Sequence, residues 1–173
     1  MEATDSMVLR AWALVLGALA DFSETTTESL VHLWHAVNKY SSTIHTYDDV
    51  EEELARIEKI CGLKMPYEKL QTKNIKTKGD LERFRRRAQK NALYSAFALI
   101  ANPIINEKML SEEMIVKVFR KAYSMDEELT LGKQGRLSLE DLQEMLLDEM
   151  GIRLFASNGQ IALEEINSTD AGA

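Results

Sequence analysis

The sequence predicts an all-α protein, a compact bundle of five to six helices with at most a very short β element near residues 151–155. Three observations carry that expectation. Apolar residues recur at three- and four-residue steps along most of the chain, the period of a helix with one buried face. Helix-opening residues precede these runs at Thr46, Ser111 and Ser138, and Gly62 and Gly151 close two of them. The 173 residues include only two prolines and eight glycines, too few for a turn-rich all-β design.

The first helix is expected over 7–22. Its apolar positions lie on nearly every side, so it belongs in the centre of the bundle, and Gly17 allows a neighbouring helix to approach closely. Met7, Trp12 and Trp34 are expected inside. The stretch Met7–Ala20 resembles a short secretory signal, but Glu2 and Asp5 before it have the wrong charge and Arg10 interrupts the apolar run. A buried helix is therefore expected there, not secretion and not a membrane span. The second helix covers 27–42, with Leu30, Leu33, Trp34, Val37 and Tyr40 on one stripe. The third covers 46–61. Thr46 caps it with Asp49, carboxylates crowd its first turns, and Val50, Leu54, Ile57 and Cys61 face inward.

Residues 63–78 lack periodicity and read as a solvated, lysine-rich connection. The fourth and longest helix is expected from Asp80 to Ala101, stopped by Asn102-Pro103. Ser111 opens the fifth, with Ile115, Val118, Phe119 and Ala122 inside. Residues 126–135 read as a loop. Ser138 opens the sixth, with Leu142, Met145, Leu146 and Met150 inside and Gly151 as its cap. Residues 1–155 thus form a single helical domain and 156–173 a flexible tail.

Charge is sorted along the chain. Residues 1–63 carry 4 basic and 11 acidic residues, and residues 93–173 carry 7 and 14, so each segment has a net charge of -7. Residues 64–92 carry 10 basic and 3 acidic residues, a net of +7. The whole chain is acidic, at -7, which excludes a generic nucleic-acid binder but not a localised cationic surface.

On a helical wheel Leu81, Phe84, Ala88, Ala92, Ser95 and Leu99 fall on one side of the fourth helix. Arg83, Arg86, Arg87 and Lys90 gather opposite, and Tyr94 and Phe97 continue that basic side. Guanidinium forks match phosphates, and an aromatic face at Tyr94 stacks on bases. Lys73, Lys76 and Lys78, with Lys64 and Lys69, extend the footprint. The expected function is that of a non-enzymatic regulatory or accessory factor binding RNA, single-stranded nucleic acid or another polyanion. Two other readings compete. The stripe is a solvated helix face, with Tyr94 and Phe97 entering the core as the helix becomes buried on all sides, or the acidic third helix neutralises it within the molecule or across a symmetric dimer. Alternatively the protein is a protein–protein adaptor with an acidic partner, or a self-assembling homo-oligomeric subunit whose acidic and basic faces pair between copies.

Other constellations carry less. Glu28, His32, His35 and Lys39 share one face of the second helix, but it is the wet face and holds a lysine, so no metal is expected. The stretch 118–145 resembles an EF-hand in outline, with Gly135 at the bend and Asp141 at the last ligand position. Thr130, Gly132 and Gln134 stand where calcium needs carboxylates, so it is read as a helix hairpin. No catalytic motif and no cofactor site is expected. The lone Cys61 fits a reducing compartment, the cytoplasm first and the nucleus as alternative.

Overall fold

A computed structural model describes residues 2–40, 44, 46–130 and 137–166, with side chains from residue 6 onward. Six helices follow one another: α1 Glu2–Ala20, α2 Thr27–Tyr40, α3 Tyr47–Cys61, α4 Lys78–Asn106, α5 Glu112–Thr130 and α6 Leu139–Met150. A two-stranded antiparallel hairpin, β1 Ile152–Ser157 and β2 Gln160–Glu165, closes the order. Among the described residues no helix is long and apolar enough to cross a membrane.

Helix α1 is the axis. Residues 11–19 are all buried, as a helix apolar on every side requires. It packs against α4, α5, α6 and the hairpin. A methyl group on Gly17 would lie 3.3 Å from Leu142 Cδ2 of α6, so the missing side chain is what lets the two helices close up. Trp12 and Trp34 are buried and meet at 4.6 Å between ring centroids, whereas Met7 is only half-buried. Leu30, Leu33, Trp34 and Val37 form the inner stripe of α2, and Tyr40 falls outside it, exposed.

Reciprocal caps open three helices. Thr46 with Asp49, Thr77 with Asp80, and Ser138 with Asp141 each exchange side-chain and backbone hydrogen bonds. Gly62 and Gly151, in left-handed conformation, end α3 and α6.

Four boundaries differ from the expectation. Helix α1 begins at Glu2, a full turn and more before residue 7. Helix α4 begins after Thr77 and runs through Pro103 to Asn106. Pro103 and Ile104 are buried, and the apolar area they remove from water outweighs the one helical bond a proline forfeits. Helix α5 continues to Thr130, where the sequence predicts a loop from residue 126. The cause is a buried charge: Asp126, polar in sequence, faces inward and is held by Arg10. The expected tail from 156 is a strand return instead. Asn158 and Gly159, both at positive φ, make the two-residue turn of a hairpin, and Ile161 and Leu163 lie half-buried against the core. Residues 131–136 and 167–173, on which part of the expected loop and tail fall, lie outside the described residues.

Candidate polyanion surface

Helix α4 has 29 residues, about 43 Å at 1.5 Å per residue. Its two halves have different surroundings. From Leu93 to Ile104 most residues are buried in the core. From Lys78 to Ala92 none is buried. The first half therefore overhangs the bundle as an arm of roughly 22 Å.

This division overturns the single-stripe wheel. Leu81 is exposed, and Phe84, Ala88, Ala92, Ser95 and Leu99 are only half-buried. The residues that face the core are Leu93, Tyr94, Ala96, Phe97 and Ile100. A wheel assumes one environment along a helix, and α4 has two.

Tyr94 is 4% exposed and cannot present a face to a base. Burial, with the neighbouring Tyr123 and Asp126, pushes its hydroxyl pKa up to about 12. Phe97 packs edge-on against Phe119 in the core. Lys90 turns inward too: its Nζ donates to Asp126 Oδ2 at 3.3 Å and stands 5.7 Å from the Tyr94 ring centroid. Asp126 is the anchor of an ion triad across α1, α4 and α5. Arg10 Nε donates to its Oδ1 at 2.7 Å, and Arg10 Nη2 donates to its backbone carbonyl and to Thr130 Oγ1, each at 3.0 Å. Tyr94 thus belongs to the core rather than to a docking stripe, while Lys90, its side chain 45% exposed, sits at the boundary and is tied to Asp126.

The three arginines of the stripe remain outside, each with a carboxylate of the chain itself. Arg83 meets Asp80 at 2.6 Å, Arg86 meets Glu82 at 2.8 Å, and Arg87 stands 3.5 Å from Glu68. Hydrogen bonds from Thr77 and Arg83 hold the Asp80 carboxyl down at about 2. The stripe is thus neutralised in part, but by Asp80, Glu82 and Glu68 of its own segment and not by the acidic α3. However, the three arginine side chains are 73%, 75% and 64% exposed. Exposed pairs of this kind are screened by water, hold the fold together weakly and exchange readily for a phosphate.

Sequence reasoning left out Arg85. It falls beside Leu81 on the wheel, the side expected to be buried, yet it is exposed and makes no ion pair with any described residue. The unbroken run Arg85-Arg86-Arg87 was the signal, because no helix buries three consecutive arginines. The connection before α4 completes the surface. Met65 is buried and Tyr67 half-buried, Asn91 and Glu68 bond in both directions, and Ser95 Oγ donates to Tyr67 Oη. One 3₁₀ turn at Thr72–Asn74 follows. Lys73, Lys76 and Lys78 are exposed and make no ion pair with any described residue. A groove of about 510 Å³ runs between this connection and the arm, lined by Leu70, Ile75, Asp80, Arg83 and Phe84 among others.

His32, His35, Glu28 and Lys39 all lie on the wet face of α2, as expected. Among the described residues no group of three metal-ligating side chains converges. Cys61 is buried, and burial raises its thiol pKa, with Arg120 pulling the other way. Compared with protein-family profiles, with curated proteins and with solved structures, the chain finds no match.

Proposed function

We propose that the protein is a non-enzymatic binding factor that engages RNA, or another polyanion, through the overhanging arm of α4 and the lysines that lead into it. One observation supports this above the others: eight exposed cations, Lys69, Lys73, Lys76, Lys78, Arg83, Arg85, Arg86 and Arg87, share one projecting end of the molecule with only Asp80 and Glu82 among them in sequence. A projection held away from an acidic body focuses positive potential where a phosphate chain can reach it. With Tyr94 buried, the arm offers mainly phosphate contacts, its one aromatic side chain being the half-buried Phe84. The reading is then one of electrostatic, weakly sequence-selective binding. It sets the protein in the cytoplasm or nucleus, where a lone thiol stays reduced.

The test is retention of a single-stranded RNA oligonucleotide across a salt series. The wild type should lose affinity steeply with salt, and the triple change Arg83→Glu, Arg86→Glu, Arg87→Glu should flatten the slope by about 0.7 for each phosphate no longer neutralised. Tyr94→Phe should leave retention unchanged. Undiminished retention by the triple variant would reject the reading.

A further inference from the structure

We infer that the groove between the connection and the arm takes one unpaired nucleotide of a single RNA strand, its base against Phe84 and its phosphates on the flanking cations. This rests on the polyanion reading and deepens it, from charge alone to a base.

The groove is a fixed feature, because the connection is pinned at both ends. At one end Tyr67 stacks on Tyr47 with ring centroids 4.7 Å apart, and Tyr47 Oη donates to the Tyr67 carbonyl at 2.9 Å. Asn91 of α4 then holds the backbone of Glu68 through both its N–H and its carbonyl. At the other end the backbone N–H groups of Lys76 and Thr77 donate to Asp80 Oδ2 at 3.2 and 2.9 Å. The span between them faces the arm across about 510 Å³, within the size range of small-ligand clefts. A ligand there meets walls already in place, so binding costs little ordering.

The lining divides into three kinds of chemistry. Leu70, Ile75 and Phe84, all half-buried, make an apolar wall. An aromatic ring left partly open to solvent offers a face on which any base stacks. Gln71 and Asn74 contribute carboxamides, and neither hydrogen-bonds to any described residue. Each carries donors and an acceptor side by side, the complement of a base edge. Arg83 and Arg87 complete the set, with side chains 73% and 64% exposed.

Charge decides where base and phosphate go. Within the groove Lys69, Arg83 and Arg87 stand against Glu68 and Asp80, nearly in balance. Asp80 is committed to the helix cap, accepting from Lys76, Thr77 and Arg83. A nearly neutral, partly apolar cleft suits an uncharged base. The exposed cations adjoining it in sequence, Lys73, Lys76, Lys78, Arg85 and Arg86, suit the phosphates on either side. A duplex has no free base face or edge to offer, so the groove selects single strands. Charge alone predicts the reverse order, since a duplex carries more phosphates per unit length.

The test is fluorescence anisotropy of the full chain with one labelled RNA oligonucleotide, single-stranded or annealed to its complement, and with inorganic polyphosphate as competitor. The single strand should bind about tenfold tighter than the duplex. Phe84→Ala should remove that margin, weakening the single strand about tenfold while duplex binding and polyphosphate competition stay unchanged. The retained duplex binding also shows that the variant folds. Changing Gln71→Ala and Asn74→Ala together should weaken the single strand about fivefold. Phe84→Trp should keep single-strand affinity, and its added emission should be quenched by the single strand and not by the duplex, because Trp12 and Trp34 are buried. Equal affinity for the two forms overturns the inference, as does F84A weakening both alike or F84W emission unmoved by the single strand. If both forms bind, fade with salt and are lost in the triple arginine-to-glutamate variant while F84A changes nothing, the base site fails and the polyanion reading stands. If neither form binds, both fail.

Discussion

Replacing Asp126 by alanine should cost about 3–5 kcal/mol of folding stability. That is the usual cost of removing one member of a buried ion pair and leaving the other charge stranded. The structure places this site at the demanding end. The Asp126 side chain is 3% exposed, and Arg10, 19% exposed, spends its donors on Asp126 and Thr130. Arg10 is held in the seam between α1 and α5 by these bonds and has less freedom to turn to water. Lys90, 45% exposed, can do so, and Lys90→Ala should therefore cost about 1 kcal/mol or less. The assay is urea unfolding followed by far-ultraviolet circular dichroism, with the midpoint shift converted through the common slope. Against a total stability of about 5–15 kcal/mol, the Asp126 variant should be visibly marginal. A loss below about 1 kcal/mol for Asp126→Ala, or equal losses for the two variants, would refute the assignment of Asp126 as the anchor. Lys90→Ala should also change RNA retention less than any one of the arm's arginines, because its ammonium faces the Asp126 carboxylate.

Two further outcomes follow from the fold. Tyr94 ionises near 10 when unfolded and only at about 12 when folded, so stability is unaffected below pH 10 and falls as pH rises from 10 towards 12. Phenolate absorbance against pH should show this late-titrating tyrosine, and Tyr94→Phe should remove it. Gly151→Ala should destabilise by about 1 kcal/mol or more in thermal unfolding, because φ is +62° there and the added carbon would lie 3.2 Å from the Ile166 carbonyl oxygen.

The helical order is legible because local chemistry and packing agree along most of the chain. Thr46 with Asp49, Ser138, Gly62 and Gly151 mark ends that local capping hydrogen bonds and left-handed glycines set without distant partners. The misread boundaries are places where distant partners decide. Pro103 stays inside α4 because Ile104 has a core to enter, and Asp126 stays in a helix because Arg10, 116 residues away, meets it. The hairpin escapes a sequence reading for another reason. Asn158-Gly159 is a strong turn signal, but its strands are short, and β2 alternates too weakly to stand out from a polar tail. For the site, the cationic segment is visible as composition. Which of its cations point outward depends on where the bundle ends along α4, a division that the switch from Arg85-Arg86-Arg87 to the apolar stretch from Ala92 marks and that a single helical wheel averages away.

The placement of α1 also constrains how the chain reaches its native form. Its apolar surface is covered by α4, α5, α6 and the hairpin, all later in the sequence. A nascent chain halfway through synthesis holds this helix with little to cover it. The core therefore assembles late and all at once, since loop closure must precede the packing that rewards it. Until the segment around Ile152 and Leu154 has emerged, the growing polypeptide presents a sticky aliphatic rod, and a chain truncated before α6 should aggregate rather than persist as a smaller folded unit.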